Sequence, residues 1–234
     1  MALWRKLLAE FLGTALLLAC VVGSGIMGVN LAQGNDAIAL LANAGATAGI
    51  LYVLIVGFGP VSGAHFNPAV TLVMRLRGEL RTHEALAYVG VQVVAVIIGV
   101  LLAHAMFALP LVPPRIPART GHAQWLSEGV ATFGLVLTIL LGVRHRPAAI
   151  PVLVASYIFA AYWFTASTSF ANPAVTLARS LTRTFAGIRP DDVLGFVLAQ
   201  LAGSAVGMIV ASIFVDKVRP ANGIASIIRS VFLR

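Results

Sequence analysis

The chain has 234 residues, of which 59% are hydrophobic and only 10% charged, with a net charge of +8. So few charges exclude a soluble domain of this size and point to a bilayer. The Lys and Arg residues sit at the ends of apolar stretches and form no single patch or stripe. That excludes a nucleic-acid surface, no nucleic-acid partner is expected, and contact with membrane lipid accounts for the excess charge.

Crossing a hydrocarbon core of ~30 Å takes about 20 apolar residues per helix. The first qualifying stretch is 7–28. Arg5 and Lys6 before LLAEFLGTALLLAC resemble a signal peptide, and LLAC resembles a lipoprotein cleavage box ending at Cys20. Glu10 inside the apolar run argues against cleavage, so this segment is expected to stay as the first membrane helix. Cys20 is the only cysteine, which excludes an internal disulfide, and is expected to act as a small apolar residue.

A second span is predicted over 37–59, and SGAHF at 62–66 and Asn67-Pro68-Ala69-Val70 follow it. From Asn67 to the last apolar residue before Arg75 and Arg77 is about ten residues, or ~15 Å of helix, half a bilayer. Asn suits the N-cap, Pro the first helical position, and Arg the C-terminal end at the interface. The segment is therefore read as a re-entrant half-helix that starts near the membrane midplane. A third span is predicted over 84–108. The Pro-rich stretch LPLVPPRIPART, 109–120, breaks the chain before spans at 124–143 and 149–166. STSFA at 167–171 and Asn172-Pro173-Ala174-Val175 then open a second half-helix that ends in Arg179 and Arg183, and a sixth span covers 192–215. The tail KVRPANGIASIIRSVFLR mixes apolar residues with spaced Arg and reads as either a segment lying on the inner leaflet or a frayed end.

Three landmarks recur in order: Glu10 and Glu128, the two Asn-Pro-Ala-Val boxes, and Gln92 and Gln200. They indicate one channel domain over 1–234 built from repeats of about 1–117 and 118–234. Three spans per repeat put the second copy upside down relative to the first. The fold class is all-α: six transmembrane helices plus two re-entrant half-helices. The half-helix starts must be covered by protein or line a watery path, because unpaired backbone groups are costly in lipid, and two of them from opposite faces can cover each other. Their positive ends would then meet with the amides of Asn67 and Asn172 beside them, and the carbonyls of Ala64, His65, Phe66, Phe170 and Ala171 would line the same path. Arg5, Lys6, Arg75, Arg77, Arg81, Arg144, Arg146, Lys217, Arg219, Arg229 and Arg234 fall on one side, against Arg115, Arg119, Arg179, Arg183 and Arg189 on the other. The positive-inside rule puts both termini in the cytoplasm, in the inner membrane of a cell.

AEFLGT, SGAHFNPAVTL, the doubled box and the Glu and Gln landmarks resemble the aquaporin, or major intrinsic protein, family over almost the whole chain. The resemblance implies a homotetramer with one pore per subunit, passive diffusion of small neutral solutes and water, and exclusion of protons. It also implies that Glu10 and Glu128 accept hydrogen bonds from the pore loops. Most members carry Arg after the second Asn-Pro-Ala, where this chain has Val175. The family's spacing puts the other filter positions at Thr47, Ala160 and Ser169, and with small residues there the filter is expected to be wide. Arg179 shares a helical face with Val175 and raises the alternative that it replaces the charge, but it is expected nearer the membrane surface, beyond reach of the constriction. Glycerol-like polyols, urea or metalloid acids such as arsenous acid are the expected solutes, as in arsenic-linked bacterial relatives that also lack this Arg.

A water-selective channel, a secondary transporter and a junction protein without conductance are the alternatives. His65 is expected to fix its loop. His83, His104, His122 and His145 show no metal-ligand spacing, and no nucleophile sits beside a base, so neither metal, cofactor nor catalysis is expected.

Overall fold

The computed structural model describes residues 1–110 and 119–214. Arg115, the repeat join near 117, and the basic tail with Lys217, Arg219, Arg229 and Arg234 lie outside the described residues. Eight α-helices follow in chain order: α1 Leu3–Ala32, α2 Asp36–Ser62, α3 Pro68–Leu76, α4 Thr82–Met106, α5 His122–His145, α6 Ile150–Phe164, α7 Pro173–Arg179 and α8 Pro190–Phe214. A 3₁₀ turn, Pro147–Ala149, leads into α6. Among the described residues six stretches are long and apolar enough to cross a membrane: α1, α2, α4, α5 and α8, and α6 together with its 3₁₀ turn as Pro147–Phe164.

Local chemistry sets the boundaries. Asn35 caps α2 by accepting from the backbone N–H of Ala37 and Ile38 at 3.1 and 3.2 Å, and Gly63, at φ 90°, ends it in the left-handed region. Along α1, Leu8, Leu12 and Leu16 stay exposed while Glu10, Gly13, Thr14, Leu17 and Leu18 are buried. One stripe of the helix therefore faces the bilayer and the other faces protein.

The two halves pack alike. α1 lies against α2 and α4, α5 lies against α8 and α6, and α2 meets α6 across the molecule. Small residues allow the close crossings, as is usual between membrane helices. A Cβ at Gly99 would stand 2.4 Å from the carbonyl oxygen of Ala15, and one at Gly207 2.7 Å from that of Phe133. α3 and α7 enter from opposite sides and touch each other in the interior.

Candidate functional site

The loops that deliver the half-helices carry the same backbone in both halves. Gly63, Ala64 and Phe66 have φ of 90°, 50° and 48°, and the equivalent Thr168, Ser169 and Ala171 have 60°, 49° and 48°. The loops are thus kinked by left-handed positions. Such positions cost a non-glycine residue about 1–2 kcal/mol each, so each loop needs an external hold.

The two buried glutamates supply it. Glu10 Oε1 accepts from His65 N at 3.0 Å and Ser62 Oγ at 2.7 Å, while Oε2 accepts from Phe66 N at 2.7 Å. Glu128 accepts from Phe170 N at 2.8 Å and Ala171 N at 2.9 Å. Behind each stands a glutamine. Gln92 Nε2 donates to Glu10 at 2.9 Å and to Thr71 Oγ1 at 3.1 Å; Gln200 Nε2 donates to Glu128 at 2.5 Å and to Thr176 Oγ1 at 2.8 Å. A hydrogen-bonded, fully buried carboxylate with this many partners is a structural clamp. His65 Nδ1 lies 3.1 Å from Thr71 Oγ1, with the ring edge against Tyr88.

The two boxes meet through their asparagines. Asn67 Oδ1 caps α3 by accepting from Ala69 N at 2.9 Å, and Asn172 Oδ1 caps α7 by accepting from Ala174 N at 3.0 Å. Each amide nitrogen then crosses over: Asn67 Nδ2 donates to the Ala171 carbonyl at 2.7 Å, and Asn172 Nδ2 to the Phe66 carbonyl at 2.8 Å. One N–H of each amide is therefore committed to the opposite loop, and one remains for a passing oxygen. Pro68 and Pro173 occupy the first helical position, and Ala69 and Ala174 are buried behind them.

A cavity of about 130 Å³ runs past both asparagines. Its walls include Val70, Met74, Ile139, Val154 and the His65 loop, together with Thr47, Tyr162, Ser169, Val175 and Arg179. Ala160 is not among its walls. It is exposed on the opposite side of α6, and the lumen residues of that helix are Ile150, Val154, Ile158 and Tyr162, at four-residue steps. Counting back from the second box fixes the distance along the chain but not the phase of α6, and two residues turn a helix by roughly 200°. Tyr162 hydroxyl lies 3.3 Å from Thr47 Oγ1, so an aromatic stands where a small residue was expected. A tyrosine near the end of a membrane helix is itself a signal, because its buried hydroxyl demands a partner.

Arg179 also departs from expectation. It is 1% exposed and faces the cavity. Its guanidinium stacks on Phe170, 3.4 Å from the ring centre, and Nε donates to the Ala186 carbonyl. Helical side chains lean toward the N-terminus of their helix, which brings this residue back toward the box and away from the surface. Arg119 closes the same region from outside: it donates to the carbonyls of Gly187, Ser167 and Phe185 at 3.0, 3.2 and 3.2 Å. Burial pulls its pKa below the ordinary value while Glu128 opposes the shift; it stays charged at any ordinary pH. Asp192 anchors this latch by accepting from Arg119 N at 2.9 Å and Thr120 Oγ1 at 2.5 Å. No motif in the sequence marks Arg119 or Asp192. Among the described residues no group of three or more His, Cys, Asp or Glu could hold a metal ion.

Comparisons with known proteins bear on the family and the fold. The family model described as "Major intrinsic protein" matches residues 1–146. The chain is 56% identical over 218 residues to aquaglyceroporin AqpS of Rhizobium meliloti (strain 1021), covering 93% of each. It is 30% identical over 213 residues to aquaporin NIP1-4 of Oryza sativa subsp. japonica, covering 87% of this chain and 74% of that one. The X-ray structure of the aquaglyceroporin from Plasmodium falciparum superposes with a TM-score of 0.71 at 19% identity, covering 93% and 97% of the two chains.

Proposed function

The chain belongs to the major intrinsic protein family, and from that premise we propose that it is a passive channel whose physiological solutes are small neutral molecules larger than water. It is an integral membrane protein and not an enzyme, and its cavity serves small neutral solutes and water. The observation that carries the finer reading is the crossed pair of asparagine amides beside a continuous cavity. Each leaves one donor free to replace a water hydrogen bond of a solute while the walls around it are largely apolar.

In this reading Asn67 and Asn172 are the central donors, and Glu10 and Glu128 hold the loops. Ala64, His65 and Phe170 contribute loop carbonyls, whereas those of Phe66 and Ala171 already accept an asparagine. Thr47, Ser169 and Val175, with Tyr162 in place of Ala160, form the narrow filter. Glycerol-like polyols, urea and arsenous acid are the proposed solutes. The protein works as a homotetramer of single-domain subunits, each an inverted repeat, in the inner membrane with both termini in the cytoplasm. Water-selective passage is the second reading, and Tyr162 and Arg179 on the lumen favour it, since both take up space that a wide filter would leave open.

Stopped-flow swelling of proteoliposomes with water, glycerol, urea and arsenous acid separates the two. Glycerol entry well above that of empty vesicles supports the proposal. Water flux alone selects the second reading, and flux that saturates and follows an ion gradient contradicts both.

A further inference from the structure

We infer that Arg179, four residues beyond the box, supplies the fixed cation that sets selectivity at the Thr47–Tyr162 narrowing. This rests on the channel reading above. The two half-helices are alike at the residue after Asn-Pro-Ala, Val70 and Val175, and both valines line the cavity. They differ one turn further on, where α3 places Met74 on the lumen and α7 places Arg179. The charge is therefore a property of one half only. Its position follows from helix geometry, because residues four apart share a face and the later side chain leans back over the earlier one. Valine at 175 leaves the room that this longer side chain needs.

The surroundings hold the guanidinium without neutralising it. Phe170 supplies a ring face and Ala186 one carbonyl, both suited to a planar cation. No carboxylate among the described residues forms an ion pair with it. Its Nη1 is buried and finds no acceptor among the described residues, and the same holds for Ser169 Oγ on the same wall. An uncompensated buried charge beside a cavity acts through its field. On this wall of the lumen it repels cations and leaves neutral solutes free to pass.

The test uses the full chain in proteoliposomes, with guanidinium ion and erythritol entry measured beside glycerol and water. Arg179→Gln keeps a planar polar end but removes the charge. Guanidinium entry is expected to rise several-fold, with a higher ratio of erythritol to glycerol flux, and the double variant Val175→Arg/Arg179→Val is expected to bring both back toward wild type. A glycerol-conducting Arg179→Gln protein with unchanged guanidinium exclusion and an unchanged ratio overturns the inference. If Arg179→Gln does not fold, Arg179→Met, which copies Met74 of the other half, decides: a guanidinium leak in the folded, glycerol-conducting variant supports the assignment, and retained exclusion overturns it. Wild-type vesicles closed to both glycerol and water would overturn the channel reading and this inference with it.

Discussion

Tyr162 and Ala160 sit two positions apart on α6, one on the lumen and one on the exposed face. If Tyr162 limits the passage, Tyr162→Ala should raise glycerol flux more than water flux, whereas Ala160→Leu should change neither. Equal effects of the two substitutions in a swelling assay would mean that α6 does not form the narrow wall. The glutamate clamps make a second prediction. Glu128→Gln keeps one acceptor but turns an NH2 toward the other donor, so it should cost less than a residue with no acceptor. Glu128→Leu strands the N–H groups of Phe170 and Ala171, at ~1–3 kcal/mol each, and should lower the thermal unfolding temperature in detergent well below that of the Gln variant. Glu10→Leu should behave the same way for His65 and Phe66.

Between elements, the tightest approaches are the glycine crossings of α4 on α1 and of α8 on α5. Gly99→Val and Gly207→Val push side-chain carbon against a carbonyl oxygen of the neighbouring helix, and overpacking of this kind costs ~1–3 kcal/mol. Gly90, where an added Cβ meets nothing within 4 Å, provides the contrast: Gly90→Ala should leave the unfolding temperature near wild type while the two valine variants lower it. At this scale much is legible in the sequence. Apolar length announces the six spans, and Asn-Pro followed by half a bilayer of apolar residues announces α3 and α7, because both signals are local. The clamps are legible too, since a carboxylate in an apolar helix has to be satisfied by something. The phase of α6 is not, because it depends on how eight loop residues fold between Phe164 and Pro173. The inward reach of Arg179 is lost for a related reason: a basic residue at a helix end reads as an interface anchor until the cavity beside it is known. Arg119 stays silent in the sequence because its carbonyl partners come from two distant loops, at Ser167 and at Phe185 and Gly187.

For the whole molecule, the paired asparagine–carbonyl bonds join residues 104 and 106 positions apart. A protein made as two separate pieces, 1–117 and 118–234, should therefore leave the first loop loose until the second piece arrives. In a Cys20→Ser background, Ala69→Cys should react readily with a small maleimide in the first piece alone and be protected in the full chain or on co-expression. Protection in the isolated piece would show that α3 seats without its counterpart. The same bonds put a delay into the making of the protein. At translation rates of about 5–20 residues per second, the first loop waits roughly 5–20 s for the carbonyl that receives Asn67. During that interval the newly inserted half exposes an unfinished helix start within the bilayer, so a membrane chaperone or the insertion machinery has a reason to stay bound until Asn172 is made. The centre of the pore is then completed only after both halves have been made, and quality control that surveys this one junction surveys both halves at once.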